Sequence, residues 1–272
     1  MKVSIITATY NRAGTLKDTL ESVLQQDYPN IEHIIVDGAS EDDTMQVISA
    51  YKRPELIVHS SPDKGVFDAL NKGLEMATGD VVGFLHSDDF FANKHVVSLV
   101  VNNMQTYGVD SVFGDVLFVD AKDVTKRKRY YSSKDFTLDK FRDTDMPAHP
   151  SFFTKLEFYK RFGNFNTKYT IAADLDLLIR FLNTERLSFR YIDELMVVMR
   201  TGGLSNASLR QRWVLNREAV EVCRANGVRT SWWLVLGKLL GKVPGFFSIG
   251  EDSRISSIEE KRTYTFRNDP VH

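Results

Sequence analysis

The chain has 272 residues with 43% hydrophobic and 26% charged side chains, the composition of a folded α/β domain rather than of a disordered or fibrous chain. Lys and Arg total 35 against 36 for Asp and Glu, so no global field draws the protein to nucleic acid or to a membrane. The single cysteine, Cys223, excludes an internal disulfide and reads as a small buried apolar residue.

Met1-Lys2 leads straight into Val3-Ser4-Ile5-Ile6, a first strand with too few apolar residues for a signal peptide. No window holds the ~18 apolar residues of a membrane span, and a cytoplasmic protein is expected, at most peripheral on the inner face of the cell membrane. Short β-branched runs then alternate with helical patterns, which predicts βα units around a mainly parallel sheet. The predicted strands are Val3–Thr7, Glu32–Val36, Leu56–His59, Val81–His86 and Ser111–Val119.

Between the first two strands, Leu16, Leu20, Val23 and Leu24 recur at helical spacing, with Thr15 and Asp18 as a capping box. Ser40 with Asp43 marks a second helix start. Phe67, Leu70, Leu74 and Ala77 mark a third helix, which Gly79 is expected to end as a left-handed cap. Val96, Val97, Val100 and Met104 form a fourth stripe, and Ala172–Leu182 a later helix. Residues 206–246 carry seven Arg or Lys against two Glu, together with Trp213, Trp232 and Trp233. The expected division is a catalytic domain over 1–205, a basic aromatic helical appendage over 206–247 and a polar tail over 248–272.

Ligands of open α/β sheets bind beyond the carboxyl ends of the strands. Polar residues crowd there: Ala8-Thr9-Tyr10-Asn11, Asp37-Gly38-Ala39-Ser40, Asp63-Lys64-Gly65 and His86-Ser87-Asp88-Asp89. Each motif alone is ordinary turn chemistry, but an acid recurring at one topological position asks for more. Asp37 suits a ribose or base, and Tyr10 suits stacking on the base. Asp88 and Asp89 suit a hard cation bridging two phosphates, Mg²⁺ or Mn²⁺, and His86 falls on the same strand face as Asp88.

Thr7-Ala8-Thr9-Tyr10-Asn11, the run Asp37 to Thr44, the run Asp63 to Gly73 and Ser87-Asp88-Asp89 resemble family 2 glycosyltransferases of the GT-A fold, in order and spacing. The likeness continues to about residue 205 through Ala172–Arg180 and Gly202–Ser205, and leans toward the subgroup that builds bacterial surface polysaccharides. It implies an inverting, metal-dependent transferase using a nucleotide-diphosphate sugar and a saccharide or lipid-linked saccharide acceptor, without nucleic acid. Ala8, Thr9, Tyr10 and Asp37 would hold the nucleoside, and Asp63, Lys64, Asp68 and Asp89 the rest of the donor. Asp88 would lead the metal ligands, with His86 where the family commonly has Asp or Asn.

The family's catalytic Glu-Asp pair maps to Ala173 and Asp174, which makes Asp174 the base and leaves the glutamate absent. His149 resembles an acceptor-lining histidine. Asp176 either faces the acceptor or forms an ordinary surface pair with Arg180. The basic run Lys126–Arg129 with Tyr130 and Tyr131 is a solvated hairpin or a contact for acceptor phosphates, and residues 230–247 lie on an anionic membrane or pack on the protein. A nucleotidyltransferase and a non-catalytic sugar-nucleotide sensor are the competing readings. The Gly-rich phosphate loop that the nucleotidyltransferase wants after the first strand is missing.

Overall fold

The computed structural model describes residues 1–202 and 209–232. Its first half is a run of βα units: β1 (Val3–Thr9), α1 (Leu16–Leu24), β2 (Ile31–Asp37), α2 (Thr44–Ser49), β3 (Leu56–Ser60), α3 (Val66–Met76) and β4 (Val81–Phe84). These strands lie in the order β3-β2-β1-β4, all parallel. The chain builds outward from β1 to β3, then returns to the other side of β1 to place β4. That reversal opens a crevice beyond the carboxyl ends of β1 and β4.

Alternation along β1 sends Val3 and Ile5 to one hydrophobic cluster and Ile6 and Ala8 to another. Both faces of the strand are buried, so it reads as an unbroken apolar run. One face packs on α3 through Leu70 and Leu74; the other packs on α4 (Val96–Tyr107) through Val97, Val100 and Met104. Ile35 of β2 meets Leu16 and Leu20 of α1 in a separate small cluster.

The second half extends the sheet with mixed pairing. Short β5 (Phe90–Phe91) is followed after α4 by β6 (Ser111–Val119), β7 (Arg127–Tyr131), β8 (Phe153–Lys155) and β9 (Phe189–Arg200). β8 bridges β4 and β6 antiparallel, while β6 and β9 run parallel. The helices here are α5 (Leu156–Phe162), α6 (Ala173–Leu178), which widens into a π-type turn over Ile179–Thr184, and α7 (Leu209–Ala225). Within the stretch expected as an appendage, α7 buries Ala219, Val222 and Cys223 in the same cluster as Ile6 and Leu70. Residues 233–247 and the tail over 248–272 lie outside the described residues.

Three local readings change, each because a tertiary partner captures the side chain. The Thr15 hydroxyl donates to the Ser87 carbonyl at 3.0 Å instead of capping α1, and Asp18 pairs with Arg200. The Ser40 hydroxyl donates to Asp37 rather than opening α2. α3 ends at Met76 without a left-handed cap; a Cβ at Gly79 would sit 2.8 Å from the Ser4 nitrogen and 2.9 Å from the Lys2 oxygen, so that glycine permits a close chain crossing.

Candidate active site

A cavity of about 640 Å³ opens at the crevice between β1 and β4. One wall comes from the first half: Ala8, Thr9, Tyr10, Asp63 and the run His86 to Asp89. A second wall comes from Arg129, Tyr131, Met146, His149 and Asp174, with Arg200 joining it to the His86–Asp89 run. Residues 120 or more positions apart in the chain thus face one space.

On the first wall, Tyr10 is 55% exposed although β1 behind it is buried, so its ring is free to stack on a planar ligand. The Thr9 hydroxyl is buried without a hydrogen-bond partner among the described residues. Neighbouring backbone is strained, with φ of 51° at Asn11 and 62° at Ala39, the left-handed region that side chains disfavour. The Asn11 side-chain oxygen accepts from the Glu41 N–H at 2.9 Å, and the Asn11 N–H donates to the Ser40 hydroxyl at 2.8 Å. A Cβ on Gly38 would lie 2.6 Å from an Asp63 oxygen and 3.3 Å from the Tyr10 ring, so a larger residue there, where the β1, β2 and β3 loops meet, would displace the Asp63 carboxylate from its place beside Tyr10.

Asp37 is fully buried beneath that junction. Its carboxylate accepts from the Ser40 N–H at 3.0 Å and from the Ser60 hydroxyl at 2.7 Å, besides the Ser40 hydroxyl. It ties the β2 and β3 loops together and is not part of the cavity wall. Lys64 and Asp68 also lie off the wall: the Lys64 N–H donates to Asp68, whose carboxylate stands 3.6 Å from the Lys72 amine.

β4 ends at Phe84, so His86 to Asp89 form a turn closed by the Asp89 N–H donating to the His86 carbonyl at 3.0 Å. Strand alternation therefore does not relate His86 to Asp88, although both line the cavity. Arg200, at the end of β9, braces this turn. Its guanidinium donates to the Asp88 carbonyl at 2.7 Å and pairs with Asp18, and its backbone N–H reaches Asp89 at 3.3 Å. The other Asp89 oxygen is buried without a partner among the described residues. Burial, and next the charge of Asp88, push the Asp89 carboxyl well above the usual aspartate range. Among the described residues no three His, Cys, Asp or Glu side chains converge on a cation position.

On the second wall, Asp174 sits in the first turn of α6 and accepts from the Leu175 N–H at 2.7 Å. Burial, opposed by that hydrogen bond and reinforced by the charge of Glu218, pushes its carboxyl up to about 6. The His149 ring stacks on Phe84 at 5.3 Å, its Nε2 is buried without a partner, and burial lowers its pKa to about 3, so it is neutral. Asp176 points away from the cavity. It is buried, 3.2 Å from Arg180 Nε and 2.9 Å from the Asn226 amide, and Arg180 also donates to the carbonyls of Phe162, Gly163 and Asn164. The surface pair expected between Asp176 and Arg180 is in fact an interior clamp.

β7 is the expected basic hairpin, and it is not wholly solvated: Arg129 lies 4.4 Å over the Phe118 ring and lines the cavity. Arg200 and Thr170 are cavity residues that the sequence alone does not flag, because they arrive on β9 and a loop with no recognisable turn motif, whereas Arg129 belongs to the basic run already marked as a contact for acceptor phosphates.

The family model for glycosyl transferase family 2 matches residues 4–165. A PGL/p-HBAD biosynthesis glycosyltransferase of Mycobacterium bovis is 29% identical over 208 residues, 75% of this chain and 78% of that one. The Escherichia coli UDP-Glc:alpha-D-GlcNAc-diphosphoundecaprenol beta-1,3-glucosyltransferase WfaP is 35% identical over 137 residues, 50% of this chain and 49% of that one. The crystal structure of S. aureus TarS 1-349 in complex with UDP-GlcNAc superposes with a TM-score of 0.63 at 23% identity, over 82% of this chain and 67% of that one. Against the longer TarS structure the chain spans 40% of its partner's length. The fold is of the GT-A type, and the chain belongs to glycosyl transferase family 2.

Proposed function

We propose that this protein transfers a sugar, with inversion, from a nucleotide-diphosphate donor to an acceptor hydroxyl, in the assembly of a surface polysaccharide or glycolipid. The observation that carries the reading is that two chemistries line one cavity. Tyr10, Thr9 and the Asp88-Asp89 turn stand on the donor side, and the carboxyl of Asp174 on the other. An acceptor alcohol is a weak nucleophile at neutral pH, and a carboxylate with a pKa of about 6 is mostly ionised there yet basic enough to take its proton.

In this reading Tyr10 and Thr9 take the nucleoside. Asp37 supports them from below by holding the Ser40 and Ser60 loops. Asp63, at the mouth of α3, faces the donor together with Asp89, while Lys64 and Asp68 shape the loop beside it. Mg²⁺ or Mn²⁺ fits the Asp88-Asp89 turn: a carboxylate on the cavity wall next to a buried, unpartnered carboxylate oxygen suits a cation whose other ligands are phosphate oxygens. Asp88 would hold it with His86 beside, and when bound it supplies positive charge to the leaving diphosphate.

The acceptor meets a wall of Phe118, Tyr131, Met146, Pro147 and Met199 together with the Arg129 guanidinium. Such a surface suits a saccharide attached to an anionic lipid, and the name of the E. coli relative includes a diphosphoundecaprenol-linked acceptor. No helix among the described residues is long and apolar enough to cross a membrane. The membrane contact we propose for residues 230–247 involves, from residue 233 onward, chain outside the described residues.

The test is a turnover screen over UDP-, GDP- and dTDP-hexoses with and without Mg²⁺ or Mn²⁺, read by mass spectrometry. Cation-dependent release of one nucleoside diphosphate is expected. Binding of a nucleotide sugar with no release or transfer under any condition would favour a sensor instead.

A further inference from the structure

α6 begins at Ala173, and its cap residue Ala172 has no side chain able to take up the free N–H groups of the entering turn. A carboxylate from a distant helix takes them up. Glu218 of α7, only 3% exposed, accepts from the N–H groups of Thr170 at 3.0 Å, Ile171 at 2.9 Å and Ala172 at 3.0 Å, and from the Thr170 hydroxyl at 2.7 Å. Burial alone would raise its carboxyl, but these four donors hold it below the usual glutamate value, so it is a buried anion.

The same face of α7 fastens α6 twice more. Val222, one turn after Glu218, lies in the core cluster that contains Ala173 and Leu177 of α6. Asn226, a further turn on, donates to Asp176 at 2.9 Å. The spacing of four between Glu218, Val222 and Asn226 puts all three on one stripe directed at the helix that carries Asp174.

We propose that Glu218 is a positioning residue for sugar transfer, fixing the Thr170–Ala172 turn so that α6 presents Asp174 to the cavity. This rests on the reading of Asp174 as the base. Its second effect is electrostatic: the Glu218 charge adds to burial in disfavouring ionised Asp174, whereas the Leu175 N–H acts oppositely. Of the other charged groups near this turn, Asp176 pairs with Arg180, Lys168 pairs with Glu221 of α7, and His149 on the same wall is neutral. The sign follows: without the Glu218 charge, Asp174 loses its proton at lower pH.

The test compares the full-length protein with Glu218→Gln, Glu218→Asp and Asp174→Asn, each checked for folding by circular dichroism. The probe is the donor that turns over best among UDP-, GDP- and dTDP-hexoses. Glu218→Gln sets an NH₂ group against the backbone donors, and kcat should fall about 10²-fold from misplacement of the base, with donor KM unchanged. The acid limb of the pH profile should move down, as should the Asp174 carboxyl titration followed by carbon-13 NMR. Glu218→Asp, which keeps the charge but withdraws it, should lose less rate and leave the titration in place. It also serves as the readout if Glu218→Gln does not fold, since native kcat in Glu218→Asp would then overturn the proposal. A folded Glu218→Gln with native kcat and native titration overturns it as well. If Asp174→Asn keeps its turnover, the base reading falls; the carboxyl titration needs no substrate and still judges the hold of Glu218 on Asp174.

Discussion

The two walls of the cavity are built in different ways. The donor wall comes from the ends of β1, β3 and β4, each contributing a contiguous motif within the first 90 residues, with the Asp37 turn of β2 supporting it from beneath. The other wall draws Arg129 from β7, His149 from a short 3₁₀ turn, Asp174 from α6 and Arg200 from β9, and is held from behind by Glu218 of α7. Where topology repeats a unit, function sits at the repeated position. Where the chain doubles back, function depends on long-range anchors, and two of them, Arg200 and Glu218, carry no local signal.

If the donor wall is organised around the Asp88-Asp89 turn, Asp88→Ala should give the largest effect in that wall. Donor turnover should fall by about 10³-fold or more, and excess chelator should do the same to the native protein. Full activity in chelator would separate the turn from any cation. A less severe break is Asp37→Ala, which acts from beneath the wall. It frees the Ser40 and Ser60 loops, and calorimetry should find nucleoside diphosphate affinity weaker by about tenfold, the cost of roughly one lost buried hydrogen-bonding group. Unchanged affinity would mean the loops keep their shape without it.

The smallest expected effect is on the acceptor side. Arg129→Ala removes one exposed guanidinium stacked on Phe118 and should raise the KM for a lipid-phosphate-linked acceptor by about tenfold or less, more than it raises donor KM. An equal change in both constants, measured with a neutral acceptor alongside, would place Arg129 in general cavity shape rather than in anion recognition.

The contrast also explains what could be read beforehand. β1, β2 and β4 were legible because their β-branched runs are buried on both faces and end in polar turns, and the half-exposed β3 because Leu56, Ile57 and Val58 form a short apolar run before such a turn. β9 was not: Tyr191, Asp193 and Glu194 interrupt its apolar residues, and its pairing with β6 breaks register around Asp115, so no clean period survives. The two-residue β5 and three-residue β8 are too short to leave a pattern. Thr15 and Gly79 were misread for a shared reason, since the residue types fit local caps but distant chain set their roles. Asp174 was legible only through resemblance. Ala173 beside it is fully buried, and the carboxylate that braces this turn comes from Glu218, which no motif marks.

The claim that the two walls hold opposite halves of one displacement is tested most directly by the pH dependence of sugar transfer at saturating donor and acceptor in the native protein and in Asp174→Asn. A base must be ionised to work, and the Asp174 carboxyl is pushed up to about 6, so the native rate should rise with pH through about 6 and then level. Asp174→Asn should lose that limb and fall about 10²–10⁴-fold while binding the donor with native affinity. A folded Asp174→Asn with near-native turnover and the same limb would contradict the account.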